Sequence, residues 1–231
     1  MINKIKNWIY SDNKPFAKGL SFSKLVLLFT LGSFLGVVWE NVLGIVKRLI
    51  KYGTFSLRDH RGVIYGPFNP LYGFGIVIIV IILGRKKRHP YKTFIYGAIL
   101  GGLIEYVASF LLEFVLGAKS WDYSDQILNI NGRTSISYMI FWGFAMMLLI
   151  HFVLPWISKK IESIPKKIGD LLVKFFVIFL SIDMLISFTA LARQVLRHKG
   201  YEPLTFIGEF YDKVYTDEFL KKIYVNMSFE D

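Results

Sequence analysis

Three acidic residues lie inside apolar runs: Glu40 in LGSFLGVVWENVLG, Glu105 in YGAILGGLIEYVAS and Asp183 in FFVIFLSIDMLISF. A carboxylate deep in a membrane span costs at least ~2.5–3.5 kcal/mol on insertion scales, so it faces the bundle interior or a wet cavity. Three of them facing lipid would cost about 8–10 kcal/mol, comparable to the stability of a whole domain. They must be partnered, protonated or solvated. Arg61 and Arg133 lie at the loop-facing starts of neighbouring apolar segments, where both could bend toward Glu40 and Glu105 with bidentate geometry. Interhelical ion pairs that fix a bundle are one reading. A polar cavity that binds a substrate headgroup or takes up a proton is the other.

The stretch GVIYGPFNPLYGFG (62–75) is greasy enough to enter a bilayer, yet it carries four glycines, two prolines and an asparagine. Pro67 and Pro70 each remove a backbone donor, and irregular backbone at membrane depth is tolerated only inside protein or beside water. A Gly/Pro-interrupted segment, answered in the other half by the irregular start NINGRTSIS, points to a binding site. Tyr65, Asn69 and Tyr72 would line it, with Asn131 and Arg133 near its mouth. WDYSD (121–125) sets Asp122 among aromatics, as a cap over the cavity or a cation contact. The alternatives are a tight elbow without ligand and an interfacial aromatic belt with solvated acids. Glu113, near a span end, can snorkel. His151, four residues before Pro155, reads as interfacial, and a metal role lacks a second ligand at useful spacing. No cofactor is expected.

Membrane helices must position these groups. Of 231 residues 54% are hydrophobic and only 19% are charged, and apolar runs near 20 residues argue for spans. Five are expected: Lys24–Val46, Pro70–Leu83 with its broken approach, Thr93–Leu116, Ser135–Ile157 and Asp170–Ala192. The fold class is all-α, a polytopic membrane bundle, with an interfacial segment at 1–23, a transmembrane domain at 24–192 and an amphipathic tail at 193–231. Gly-x3-Gly-x3-Glu occurs twice, as Gly32, Gly36, Glu40 and as Gly97, Gly101, Glu105, while YGF (72–74) parallels WGF (142–144). This predicts two parallel hairpin repeats followed by a fifth helix.

Five spans put the loops 47–69 and 117–134 on one side. The dense basic loops RKKRHPYK (85–92) and SKKIESIPKK (158–167) fall on the other, which the positive-inside rule places in the cytoplasm with the N-terminus. MINKIKNWIY lacks a cleavable signal pattern, so the first span is expected as an uncleaved anchor. Net charge +11 suits anionic headgroups better than nucleic acid, since no basic-aromatic module is present. Thr216, Asp217 and Glu218 are expected to cap a short helix through Ile223, with Phe219, Leu220 and Ile223 as its apolar stripe. Without cysteine, disulfides and thiolate metal sites are excluded. The chain carries no P-loop, no Gly-x-Ser-x-Gly elbow and no zinc-type His-Glu-x-x-His.

The motifs WE (39–40), YGPFNPLYGFG (65–75), EY (105–106), WDYSD (121–125), NINGR (129–133) and FWG (141–143) occur in order. Together with RQVLRHKGYEP (193–203) and TDEFLKKIYVNM (216–227), they resemble a family of bacterial integral membrane proteins described as ABC-transporter permeases of type IV, CmpB-like. The resemblance implies a multi-pass protein of the bacterial cell membrane, assigned to transport, with a separate P-loop ATPase as partner. The reading is a transporter, not an enzyme, moving a small or amphiphilic solute past Glu40, Glu105 and Asp183. An intramembrane enzyme using paired carboxylates on a lipid-linked substrate and a non-transporting scaffold are the alternatives. Substrate, direction and oligomeric state, a homo-oligomer included, stay open.

Overall fold

The computed structural model describes residues 16–55, 60–119, 121–225 and 227–229. The first helix, α1 (Phe22–Tyr52), starts at Ser21, whose hydroxyl accepts from the Lys24 N–H, and stops at Gly53 in the left-handed region, φ 65°. Pro70 opens α2 (Pro70–Leu83), and Pro90 opens α3 (Pro90–Leu116), both at the first-turn position where a missing N–H costs nothing. The fourth helix, α4, runs Ile136–Glu162. Its middle, Leu149–Val153, is a π turn, placed where Pro155 withholds the N–H that would reach the His151 carbonyl. The last long helix is α5 (Lys166–His198).

Four of these, α1, α3, α4 and α5, are long and apolar enough to cross a membrane. At 14 residues, α2 is about 21 Å long, short of the ~30 Å hydrocarbon core. The irregular stretch 60–69 precedes it, so of the five expected crossings four have a helix of spanning length. The protein is a multi-pass membrane bundle. Two short antiparallel ribbons join loops at one end: β2 (Asn129–Ile130) with β3 (Thr134–Ser135), and β1 (Ala118–Lys119) with β4 (Ser228–Phe229) near the C-terminus.

The sequence echo is an echo in packing. In the α1–α2 hairpin Gly32 faces Ile76 and Gly36 faces the Tyr72 ring; in the α3–α4 hairpin Gly97 faces Met146 and Gly101 faces Trp142. Gly73 lies against Phe29, and its counterpart Gly143 lies against Phe94. Phe29 meets Phe74 edge-on at 4.9 Å, and Phe94 meets Phe144 edge-on at 4.8 Å. Small residues thus let each pair of helices close to backbone distance, which in lipid is the main source of helix adhesion.

The tail does not start where the polarity changes. Helix α5 continues past 192 to His198 before the chain turns back through α6 (Phe206–Val214) and α7 (Asp217–Ile223). Thr216 caps α7 as expected, accepting from the Phe219 N–H. Two residues of its expected stripe, Leu220 and Ile223, are buried in a cluster with Ile64, Leu116 and Leu191, while Phe219 is exposed. Arg193 grips Asp212 with two hydrogen bonds, at 2.9 and 2.7 Å, and donates to the Tyr201 carbonyl. Arg197 bridges Asp212 and Asp217. The tail therefore shares an end with loops 60–69 and 117–134, where the Tyr65 and Tyr215 hydroxyls lie 3.0 Å apart. The pair between buried Lys24 and exposed Glu162 marks the other end.

A Cβ at Gly36 or Gly101 would overlap the facing aromatic ring, whereas one at Gly75 meets nothing within 4 Å. Gly36→Val and Gly101→Val should each lower stability in detergent by about 1–3 kcal/mol, while Gly75→Ala should match the wild type in the same thermal melt. The clamp also has a pH limit. Hydrogen bonds from Arg193, joined by Arg197, hold the Asp212 carboxyl below its ordinary value. A depressed carboxyl contributes its stability above the unfolded value, about 3.9, and loses it as pH falls through the folded one. Limited proteolysis should find the tail protected from pH 8 to 5 and cleaved faster only below about pH 4.

Candidate functional site

Glu40 and Glu105 hold equivalent places in the two hairpins, one turn beyond Gly36 and Gly101. The Tyr72 hydroxyl donates to Glu40 Oε1. Glu105, only 9% exposed, accepts from the Tyr123 hydroxyl at 3.0 Å and the Thr134 hydroxyl at 2.8 Å. Tyr123 stacks on Tyr138, centroids 4.2 Å apart, and Tyr72 lies within electrostatic reach of both Glu105 and Tyr138. Each acid is thus met by hydroxyl donors, Glu40 by Tyr72 and Glu105 by Tyr123 and Thr134. Trp142, the counterpart of Tyr72 in the second hairpin, turns its buried indole nitrogen toward Glu105. Burial, with the neighbouring Glu105 charge second, holds the Tyr123 phenol above its ordinary range, so it stays a donor.

Arg133 does not serve Glu105. Its guanidinium pairs with Glu113 at 2.6 Å, donates to Ser109 at 3.3 Å and lies over the rings of Tyr106 and Phe110. Glu113 is two turns nearer the loops, at the depth an arginine entering from the loop can reach, and so it is paired rather than merely snorkelling. Arg61 donates to the Ile64 carbonyl, curling the chain back on itself.

Asp183 belongs to a different set of contacts. It is 2% exposed, and its Oδ1 accepts from the Tyr65 backbone N–H at 2.9 Å. Ser187, one turn on, accepts from the Ile64 N–H at 2.8 Å. The irregular segment closes on itself through Gly62 N–H to the Phe68 carbonyl at 2.9 Å, and Asn69 N–H reaches the Ser33 carbonyl of α1 at 3.0 Å. Gly66, at φ 82°, makes the reversal that a side chain would strain. Among the described residues, Asp183 Oδ2 and the Tyr224 hydroxyl are buried without hydrogen-bond partners. Burial raises the Tyr224 phenol to about 12.

The remaining candidates spread over the loop end. Asn69 caps α2, accepting from Leu71 N–H. Asn131, at φ 53°, donates to the Tyr106 hydroxyl at 3.0 Å. Asp122 closes its own turn, and hydrogen bonds from the Ser124 hydroxyl and N–H hold its carboxyl below the usual range. His151 lies in the π turn with Nε2 2.9 Å from the buried Thr93 hydroxyl, a helix–helix contact. No group of three metal-ligating side chains occurs among the described residues. Thr134, Tyr138 and Trp142 were not singled out by sequence reasoning. Trp142 alone had a signal, its alignment with Tyr72 in the repeat.

A family model described as "Putative ABC-transporter type IV" matches residues 27–188. The chain belongs to that family. The matched range takes in both hairpins, Glu40, Glu105 and Asp183, and ends inside α5, so α6 and α7 lie outside it. No curated protein and no solved structure matches the chain.

Hydrogen bonds to a buried carboxylate are worth about 1.5–3 kcal/mol. Thr134→Val and Tyr123→Phe should each destabilise the protein by about that much in a detergent thermal melt. The double variant should lose less than the sum if Glu105 becomes protonated once one donor is gone.

Proposed function

We propose that this protein is the membrane-embedded, permease-like subunit of an ABC-type transporter in the bacterial cell membrane, and that a small or amphiphilic solute passes the polar seam between its two hairpins. The observation that carries the reading is the placement of Glu40 and Glu105 at equivalent positions of two parallel repeats, each held by a phenolic hydroxyl, Tyr72 on one and Tyr123 on the other. Repeats of this kind bind substrate at their interface and open alternately on either side of it. Glu40, Tyr72 and Glu105 form the central polar contact. Tyr65, Asn69, Asp122, Asn131 and Arg133 stand toward the loop end as its approach, and Asp183 anchors the irregular segment that borders it. Neither buried carboxylate is assigned to catalysis, since each is engaged by hydroxyl donors that hold it in place.

Energy comes from a separate P-loop ATPase, as membership of the family suggests. The basic loops put the N-terminal end in the cytoplasm. At that end α4 runs about two turns past the end of α2, and those turns are the element offered to a partner. Membrane vesicles loaded with a cell metabolite extract provide the test. Wild-type vesicles should show ATP-dependent movement of a solute by mass spectrometry, and Glu105→Gln should reduce its rate at least tenfold with the protein still folded. Movement unaffected by Glu105→Gln refutes the seam as the route; movement indifferent to ATP refutes the partner ATPase.

A further inference from the structure

The cytoplasmic end holds a cavity of about 460 Å3, far from Glu40 and Glu105 and lined in part by Leu20, Lys24, Arg85, Leu154, Ser158 and Glu162. Its origin is a mismatch between the repeats. Ile76 and Met146 occupy equivalent places, so the register that pairs them sets Gly84 opposite Leu154. There α2 ends, whereas α4 continues through Leu154–Glu162. The two turns that α2 lacks leave a hollow, closed on one side by the start of α1 and on the other by the extension of α4.

The lining is divided by chemistry. Lys24, 2% exposed, is neutralised by Glu162 and fixes the floor. Arg85 makes no hydrogen bond or ion pair among the described residues, and neither does the Ser158 hydroxyl. Leu20, Ile150, Leu154 and Pro155 give the remaining wall an apolar surface. Next to Arg85 and Ser158 in the chain, Lys86, Lys87, Lys159 and Lys160 add positive charge at this end, and Trp156, 63% exposed, carries Lys160 over its ring at 6.0 Å. Such a tryptophan marks the headgroup level of the bilayer.

We propose that this cavity binds the headgroup of an anionic phospholipid, with Arg85 and Ser158 on the phosphodiester and Leu20 and Leu154 against the first methylenes of the acyl chains. A guanidinium left unpaired beside a hydroxyl matches a phosphate, and the apolar wall next to it matches the chain that a lipid phosphate carries. A free phosphate ion has the same anionic chemistry but leaves that wall empty. The site shares the Leu154–Glu162 turns with the element offered to the ATPase but uses none of the residues of the proposed solute route, so lipid binding to the isolated chain tests it apart from that route.

The full chain, purified in neutral detergent, is titrated with phosphatidylglycerol and with phosphatidylcholine, and retained lipid is counted by native mass spectrometry. Phosphatidylglycerol should bind at least about tenfold more tightly. Arg85→Gln should remove about tenfold of that affinity, and Ser158→Phe, which fills the hollow, should weaken both lipids. Lys213→Gln, the same charge change at the other end, should leave both unchanged. Equal binding of the two lipids, or equal effects of Arg85→Gln and Lys213→Gln, overturns the proposal. Displacement of bound phosphatidylglycerol by millimolar inorganic phosphate overturns the lipid in favour of a free anion.

Discussion

Backbone N–H groups at membrane depth must find acceptors within the protein, and the segment 62–69 leaves the helical pattern that would supply them. Asp183 and Ser187, one turn apart on α5, accept from Tyr65 and Ile64, while α1 lends the Ser33 carbonyl to Asn69. An acid that costs several kcal/mol when unpaired in lipid is thereby converted into the anchor for a stretch that could not otherwise enter the bilayer. Oδ1 of the acid is satisfied in this way, while Oδ2 has no hydrogen-bond partner among the described residues. The rest of the loop end builds on that anchor, since Ile64 is also the floor on which Leu220 and Ile223 of the tail pack.

The hairpins depend on a second constraint, close approach. Where glycine faces an aromatic ring at Gly36 and Gly101, the helices come near enough for dispersion to hold them. The same approach carries Glu40 and Glu105 to the seam. One acid is met by Tyr72 on the facing helix; the other is met mainly by Tyr123 and Thr134 from the loop. The glycine packing is alike in the two hairpins, while the donors that meet the two acids differ.

The two ends of the bundle are built differently. At the loop end two arginines are tied to tail carboxylates, Arg193 and Arg197 to Asp212 and Asp217, while Lys47, Lys51, Lys221 and Lys222 are exposed. At the other end the lysines and arginines of 85–92 and 158–167 are largely exposed.

By itself the sequence determined the class: lipid-length apolar runs, glycines at four-residue spacing, prolines at helix starts and the Thr216 cap each act within one segment or its repeat. The helices and the matched glycine packing of the two hairpins followed from those local rules. Partner choice did not. Whether Arg133 would reach Glu105 or Glu113, and whether Asp183 would face the seam or the irregular segment, depends on rotations and depths of helices set only when whole faces pack. Distances of a few ångströms between side chains from distant parts of the chain decide which charge is satisfied by which donor. No periodicity in the sequence encodes them, and only the assembled bundle fixes them.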